Sequence, residues 1–123
     1  MFKNTGFKIV PPNLFKNIKN NVLCTSMFAD CKNLYVIPDN ILLSGTAGGK
    51  VNNVYHMFAN CINLRGTINT NNTSSINFKI TTNGFPSNQF WENKNITTYT
   101  GCFYNTQISW IIQEENKQWY QWN

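Results

Sequence analysis

The sequence predicts a mostly β chain with short helical turns, wound as a short solenoid of about three to four irregular rungs and closed by a C-terminal aromatic cap or hairpin. Three observations predict it. First, one phrase is written twice: Thr25–Leu34 reads TSMFADCKNL and Tyr55–Leu64 reads YHMFANCINL, with Met, Phe, Cys, Asn and Leu at the same places. Second, the apolar stretches beside each phrase are too short to bury their own faces, whereas stacked copies cover one another. Third, 22 of the 123 residues are asparagine. Asparagine tolerates left-handed backbone and caps turns with its amide, so the chain should be rich in turns and poor in long helices.

The single domain, 1–123, divides as follows. The first rung (1–21) opens MFKNTGFKIVPP, which sets Met1-Phe2 on Met27-Phe28 and Val10-Pro11 near Ile37-Pro38. The second (22–50) and third (51–69) carry the repeated phrase. The fourth (96–112) carries GCFYNTQISWII, with Cys102-Phe103 in the Met-Phe place, Asn105 in the turn and Ile108 in the Leu place. The anchor residues Phe2, Phe28, Phe58 and Phe103 fall 26, 30 and 45 residues apart. Leads of Asn followed by Val or Ile precede the later anchors, in NNVLCTSMF, NNVYHMF and KNITTYTGCF. The expected repeat core is Phe2, Met27, Phe28, Cys31, Leu34, Met57, Phe58, Cys61, Leu64, Cys102, Phe103 and Ile108.

The uneven spacing has local causes. A glycine-rich loop, Ser44–Lys50, fills one gap, and an insertion (70–95) fills another. Within that insertion Ser75–Thr82 alternates, with Ile76, Phe78 and Ile80 on one side, between turn clusters Asn69–Ser75 and Asn83–Asn88; this predicts an extra strand. Insertions of this kind map to loops on one face of a repeat array, often the binding face. The C-terminal segment (108–123) concentrates Trp110, Trp119, Tyr120 and Trp122. Glu114–Lys117 is a polar turn between two apolar runs, which predicts a hairpin, with one helix as the alternative. These aromatics, with Trp91, have two uses: covering the last rung, or forming a platform for sugar faces or a protein surface.

The phrases MFADCKNLYVIP and MFANCINL resemble the BspA-like bacterial surface-protein repeats, a divergent leucine-rich repeat whose pattern is roughly Met-Phe-x-x-Cys-x-x-Leu after an Asn-Val lead. Residues 22–38 and 51–68 match closely, and 1–15 and 96–112 loosely. The resemblance implies a recognition or adhesion module, without catalytic residues, at a bacterial cell surface or in a phage particle. Its partner would be a protein or glycan surface. The chain departs from the family in having few repeats and no N-terminal cap before Met1-Phe2. An open rung is an unpaired strand edge that invites association. The alternative expectation is therefore a structural subunit, such as a virion component or fibre, docking other chains through its N-terminal end.

Other classes are disfavoured by the residues themselves. Net charge is +5, yet charged residues are only 12% of the chain and the lysines are scattered, Lys16 and Lys19 being nearest to a patch. No nucleic-acid partner is expected. No stretch approaches the roughly 18 apolar residues of a membrane span, and no signal peptide is visible in MFKNTGFKIVPPN. The seven-residue step from Cys24 to Cys31 lacks zinc-ligand spacing, and GTAGGK lacks a phosphate-loop arrangement, so neither metal nor cofactor is expected. Cys24, Cys31, Cys61 and Cys102 read as small buried hydrophobes, with a disulfide left open. His56, the only histidine, stands where the preceding phrase has Ser26, which argues for structure. Asp30, Asp39, Glu92, Glu114 and Glu115 form no pair in sequence, though distant carboxylates can meet in space. The expectation is a chain that is not an enzyme. The Asn-x-Ser/Thr triplets at Asn71, Asn72 and Asn95 are what so much asparagine gives by chance.

Overall fold

Each Met-Phe phrase folds as a run of tight turns closed three residues back. Met27, Ala29, Cys31 and Leu34 donate their N–H groups to the carbonyls of Cys24, Ser26, Phe28 and Cys31. Thirty residues on, Met57, Ala59, Cys61 and Leu64 do the same to Val54, His56, Phe58 and Cys61, and Cys102, Tyr104 and Thr106 to Tyr99, Gly101 and Phe103. Such winding forces the backbone into the left-handed region at fixed places. Two residues after each anchor Phe stand Asn4, Asp30, Asn60 and Asn105, with φ between 56 and 63°. Two residues before it stand Ser26, His56 and Gly101, with φ of 54, 52 and 66°. Asn, Asp and Gly adopt this conformation at little cost, which is one reason the turns are written in them.

The computed structural model describes residues 2–10, 22–38, 41–42, 51–68, 80–81 and 90–123. The Lys16/Lys19 pair, the 44–50 loop, the turn clusters at 69–75 and 83–88, Asp39, Ile76, Phe78, Asn71 and Asn72 lie outside those residues.

The turn units stack in parallel, each handing N–H groups to the next. Phe2 and Asn4 donate to Met27 and Ala29; Phe28 and Asp30 donate to Met57 and Ala59; Phe58 and Asn60 donate to Cys102 and Tyr104, all at 2.8–2.9 Å. Short strands flank the turns. Before them, β1 (Val22–Leu23) pairs in parallel with β3 (Val51–Asn53), which meets Thr98 in a single bridge. After them, β2 (Val36–Pro38) pairs in parallel with β4 (Gly66–Ile68), and Ile9 bridges to Val36. From the insertion, β5 (Ile80–Thr81) pairs with β4 antiparallel and covers its other edge.

In the leads Val22 pairs with Val51 and Leu23 with Asn53 across a bulge, and the Cys24 N–H bonds the Asn53 carbonyl.

Inside the stack the anchor rings form a column. Phe2–Phe28, Phe28–Phe58 and Phe58–Phe103 have centroids 5.4, 5.5 and 5.6 Å apart and planes within 13°. Phe28, Phe58 and Phe103 are fully buried, while Phe2 is partly buried with the edge of Phe7 against it. Each buried ring contributes roughly 2–3 kcal/mol of burial and its pairings about 0.5–1.5 kcal/mol more. Met27, Cys31, Leu34, Met57, Cys61, Leu64, Cys102 and Ile108 lie in the same core.

A second column runs three residues after each anchor: Thr5, Cys31, Cys61, Thr106. The Cys31 thiol donates to the Phe2 carbonyl at 3.2 Å, and the Cys61 thiol to the Phe28 carbonyl at 3.0 Å. The Thr106 hydroxyl donates to the Phe103 carbonyl at 2.9 Å, and Thr5 lies 3.4 Å from the Cys31 sulfur. The two thiols thus reach back to the anchor carbonyl of the preceding unit, whereas the Thr106 hydroxyl closes on the anchor carbonyl of its own unit.

The C-terminal segment forms neither a hairpin nor one continuous helix. It makes two 3-10 turns, Ile108–Ile111 and Glu114–Trp119, the second kinked at Asn116. Gln113–Lys117 lacks the apolar alternation a second strand needs, so local three-residue bonds win. The second turn then serves the stack as a further layer: Gln118 and Trp119 carbonyls accept the N–H groups of Gly101 and Phe103 at 2.9 and 2.8 Å.

Candidate functional site

The terminal aromatics divide into buried and exposed sets. Trp119 is 3% exposed, stacks on Tyr99 at 4.8 Å, and packs against Phe90, Trp91 and Phe103. The Trp119 carbonyl that accepts from Phe103 holds the residue at the end of the ring column. Its expected place on a binding platform is therefore corrected: Trp119 is core, because only a large ring covers Phe103 where no fifth phenylalanine follows. Trp91 and Tyr120 are partly buried against the same core.

Trp122 is 46% exposed but is also clamped. Its ring lies 4.0 Å from that of His56 and 5.0 Å from that of Tyr104. The His56 Nε2–H donates to the Trp122 carbonyl oxygen at 2.8 Å, and the Tyr55 ring stacks on the other side of the imidazole at 3.8 Å. His56 is 5% exposed, so the only histidine holds the tail against the third unit. Gly101 makes room for it: a Cβ there would lie 2.5 Å from the His56 Cδ2, 2.7 Å from Nε2 and 2.9 Å from the Gln121 carbonyl oxygen. Sequence reading placed His56 as structural, but the clamp needs Gly101 and Trp122, which are 45 and 66 residues away and share no motif with it.

Trp110 is the freest large side chain described, 80% exposed, beside Ile111 at 45%. Gln107 connects this corner to the third unit. Its backbone N–H donates to the Leu64 carbonyl, its side-chain amide donates to the Ile62 carbonyl, and its own carbonyl accepts from Trp110. Ile62, 44% exposed, stands next to that contact. Together Ile62, Trp110 and Ile111 give the stack an apolar corner.

A second surface was not singled out from sequence. An open depression of about 460 Å³ is lined by Lys8, Asn33, Tyr35, Asn63 and Arg65. These come from three successive units. The Tyr35 N–H donates to the Lys8 carbonyl at 3.1 Å, and the Arg65 N–H to the Tyr35 carbonyl at 3.0 Å. Asn33 and Asn63 are five residues past their anchors, and Tyr35 and Arg65 seven past theirs. Counting from the anchor Phe finds the repeated Asn33 and Asn63 and the varied position of Tyr35 and Arg65, while Lys8, six past Phe2, falls out of that count.

The thiols offer no reactive centre. All four cysteines are free and buried. Burial pushes Cys24 and Cys61 from the ordinary 9.0 up to about 12, and raises Cys102 well above it. They stay protonated at neutral pH and are poor nucleophiles. Among the described residues no group of His, Cys, Asp and Glu is arranged to hold a metal ion, and no helix is long and apolar enough to cross a membrane. Comparison with protein-family models, with curated proteins and with solved structures found no match for this chain.

Proposed function

We propose that the chain is a short leucine-rich-repeat-like solenoid acting as a non-enzymatic recognition module of a bacterial cell-surface or phage-particle protein, binding a protein or glycan partner. The observation that carries this reading is Trp110, 80% exposed with Ile111 and Ile62 beside it on a backbone fixed by inter-unit hydrogen bonds. Rigid aromatic area of this kind binds at low entropic cost. The role of His56 as a clamp on Trp122, and the protonated state of the buried thiols, further support recognition over covalent chemistry.

The test is a binding assay of the intact chain against arrayed glycans and bacterial cells. Trp110→Ala should abolish the signal with an unchanged melting temperature. No ligand in either format, or full binding by Trp110→Ala, rejects this reading.

A second reading, a structural subunit docking through its N-terminal unit, is favoured by Phe2. Among the described residues its ring stacks only on Phe28, with Phe7 meeting it edge-on, and it stays partly exposed. Light scattering of the purified chain decides: a defined oligomer that Phe2→Ser dissociates supports docking, and a monomer rejects it.

A further inference from the structure

We propose that the depression bordered by Lys8, Tyr35 and Arg65 is a binding site for an anionic saccharide, one carrying carboxylate or sulfate groups. Consecutive strands in a parallel ladder lie about 4.8 Å apart. The two cations therefore stand one on either side of Tyr35, two steps apart. Neither Lys8 nor Arg65 is in an ion pair among the described residues, whereas Lys3 pairs with Asp30 and Lys117 with Glu114. Arg65, the only arginine in the chain, donates its Nε–H to the Asn63 carbonyl at 3.3 Å. That bond orients the guanidinium plane and leaves both terminal amino groups for a bidentate anion.

The rest of the lining suits a sugar. Asn63 spends its amide N–H on the Lys32 carbonyl at 2.7 Å, which leaves its side-chain oxygen to accept from a hydroxyl. Asn33 is exposed, with donor and acceptor both available. Tyr35 is half-buried, and its ring stacks on no other among the described residues, so it can meet the apolar face of a pyranose. An extended acidic peptide fits less well. Strand addition needs free backbone donors, and the Tyr35 and Arg65 N–H groups are already used between units. Two cations are also too few for a nucleic-acid track, where affinity comes from many neutralised phosphates.

This inference rests on reading the chain as a recognition module but concerns a surface other than the Trp110 corner, so the two fail separately. The test is calorimetric titration of the intact chain at low salt with an oligogalacturonate, a sulfated dextran oligosaccharide and the neutral dextran parent. One or both anionic sugars should bind and the neutral parent should not; whichever binds distinguishes carboxylate from sulfate. Arg65→Gln should weaken binding at least about tenfold, with Arg65→Lys between it and the native chain. Tyr35→Leu should also weaken binding, while Lys117→Gln should leave it unchanged. The proposal is overturned by no anionic binding, by equal binding of the neutral parent, by an equal loss in Lys117→Gln, or by an oligoglutamate of the same length binding as tightly. Cell or glycan-array binding that is lost in Trp110→Ala, with no calorimetric binding of either anionic sugar by the intact chain, would overturn this site and keep the module.

Discussion

The middle of the stack and its C-terminal end bury the same ring by different means. Phe58 has a phenylalanine above and below it, 5.5 and 5.6 Å away and nearly coplanar. Phe103 has Phe58 on one face only; on the other sides come Trp119, 25° off parallel, with Phe90 and Trp91 edge-on. Repetition supplies an identical neighbour wherever another unit follows. Where none follows, a mixed aromatic cluster must close the column. A repeat is thus a local solution, and the end needs residues that carry no repeat pattern.

The largest break of this comparison is Phe58→Ala, which removes a ring with two stacked partners. Urea unfolding should show a loss of about 4–5 kcal/mol, near the top of the range for such truncations. A loss no larger than that of the partly exposed Phe2→Ala would mean that the ring column is not the main store of stability.

Alkaline pH attacks the buried thiols beside it. The folded thiols of Cys24 and Cys61 ionise near 12, and that of Cys102 also stays well above the ordinary 9.0. The unfolded thiols ionise near 9, so the native state holds more protons between those values. Their contribution is complete below pH 9 and is lost as pH rises toward 12. Each thiol should remove up to about 1.4 kcal/mol per pH unit in that window, a combined slope of up to about 4 kcal/mol per pH unit for the three. Unfolding under reductant at several alkaline pH values measures the slope, and Cys102→Ala should reduce it by about a third. An unchanged slope refutes this account.

Trp119→Ala tests the end directly, with an expected loss of about 3 kcal/mol by the same unfolding experiment. Faster amide exchange should follow at Gly101 and Phe103, whose N–H groups donate to the last layer. Equal protection throughout the stack would show that the cap does not close this end.

A smaller effect, about 1–2 kcal/mol, is expected for Gly101→Ala, which meets both a left-handed backbone and the His56 ring. Combining it with His56→Ser, the residue of the preceding unit, should recover part of the loss, since the left-handed backbone and the Gln121 carbonyl remain in the way. The smallest effect belongs to Trp110→Ala, within about 0.5 kcal/mol, as expected for an exposed side chain. A larger loss would place Trp110 in the end cluster.

The anchor phenylalanines were legible because a ring in a column needs another ring at the same place in each unit. The residue two places on was legible as Asn or Asp because the backbone there is left-handed. The bulge that sets Val22–Leu23 against β3 leaves no mark in residue type. Aromatic density near the C-terminus marked a surface to be covered, but nothing in 113–118 encoded the 3-10 geometry that brings Trp119 over Phe103. Lys8, Tyr35 and Arg65 escaped notice because an outward-facing position has no packing constraint and changes type from unit to unit.

The thiol column has a consequence for how such a chain changes length. Cys31 and Cys61 each bond the anchor carbonyl of the unit before, and each unit passes backbone donors to the unit after. A duplicated copy of the second unit, spliced before the third, would accept backbone donors from the unit before and donate to the unit after, as its neighbours do. Gene duplication by unequal crossing-over therefore meets little energetic resistance in the interior. The same event at the clamp of His56, Gly101 and Trp122 would separate three residues that work only together. Length is free to drift in the middle of the molecule and is pinned at its end.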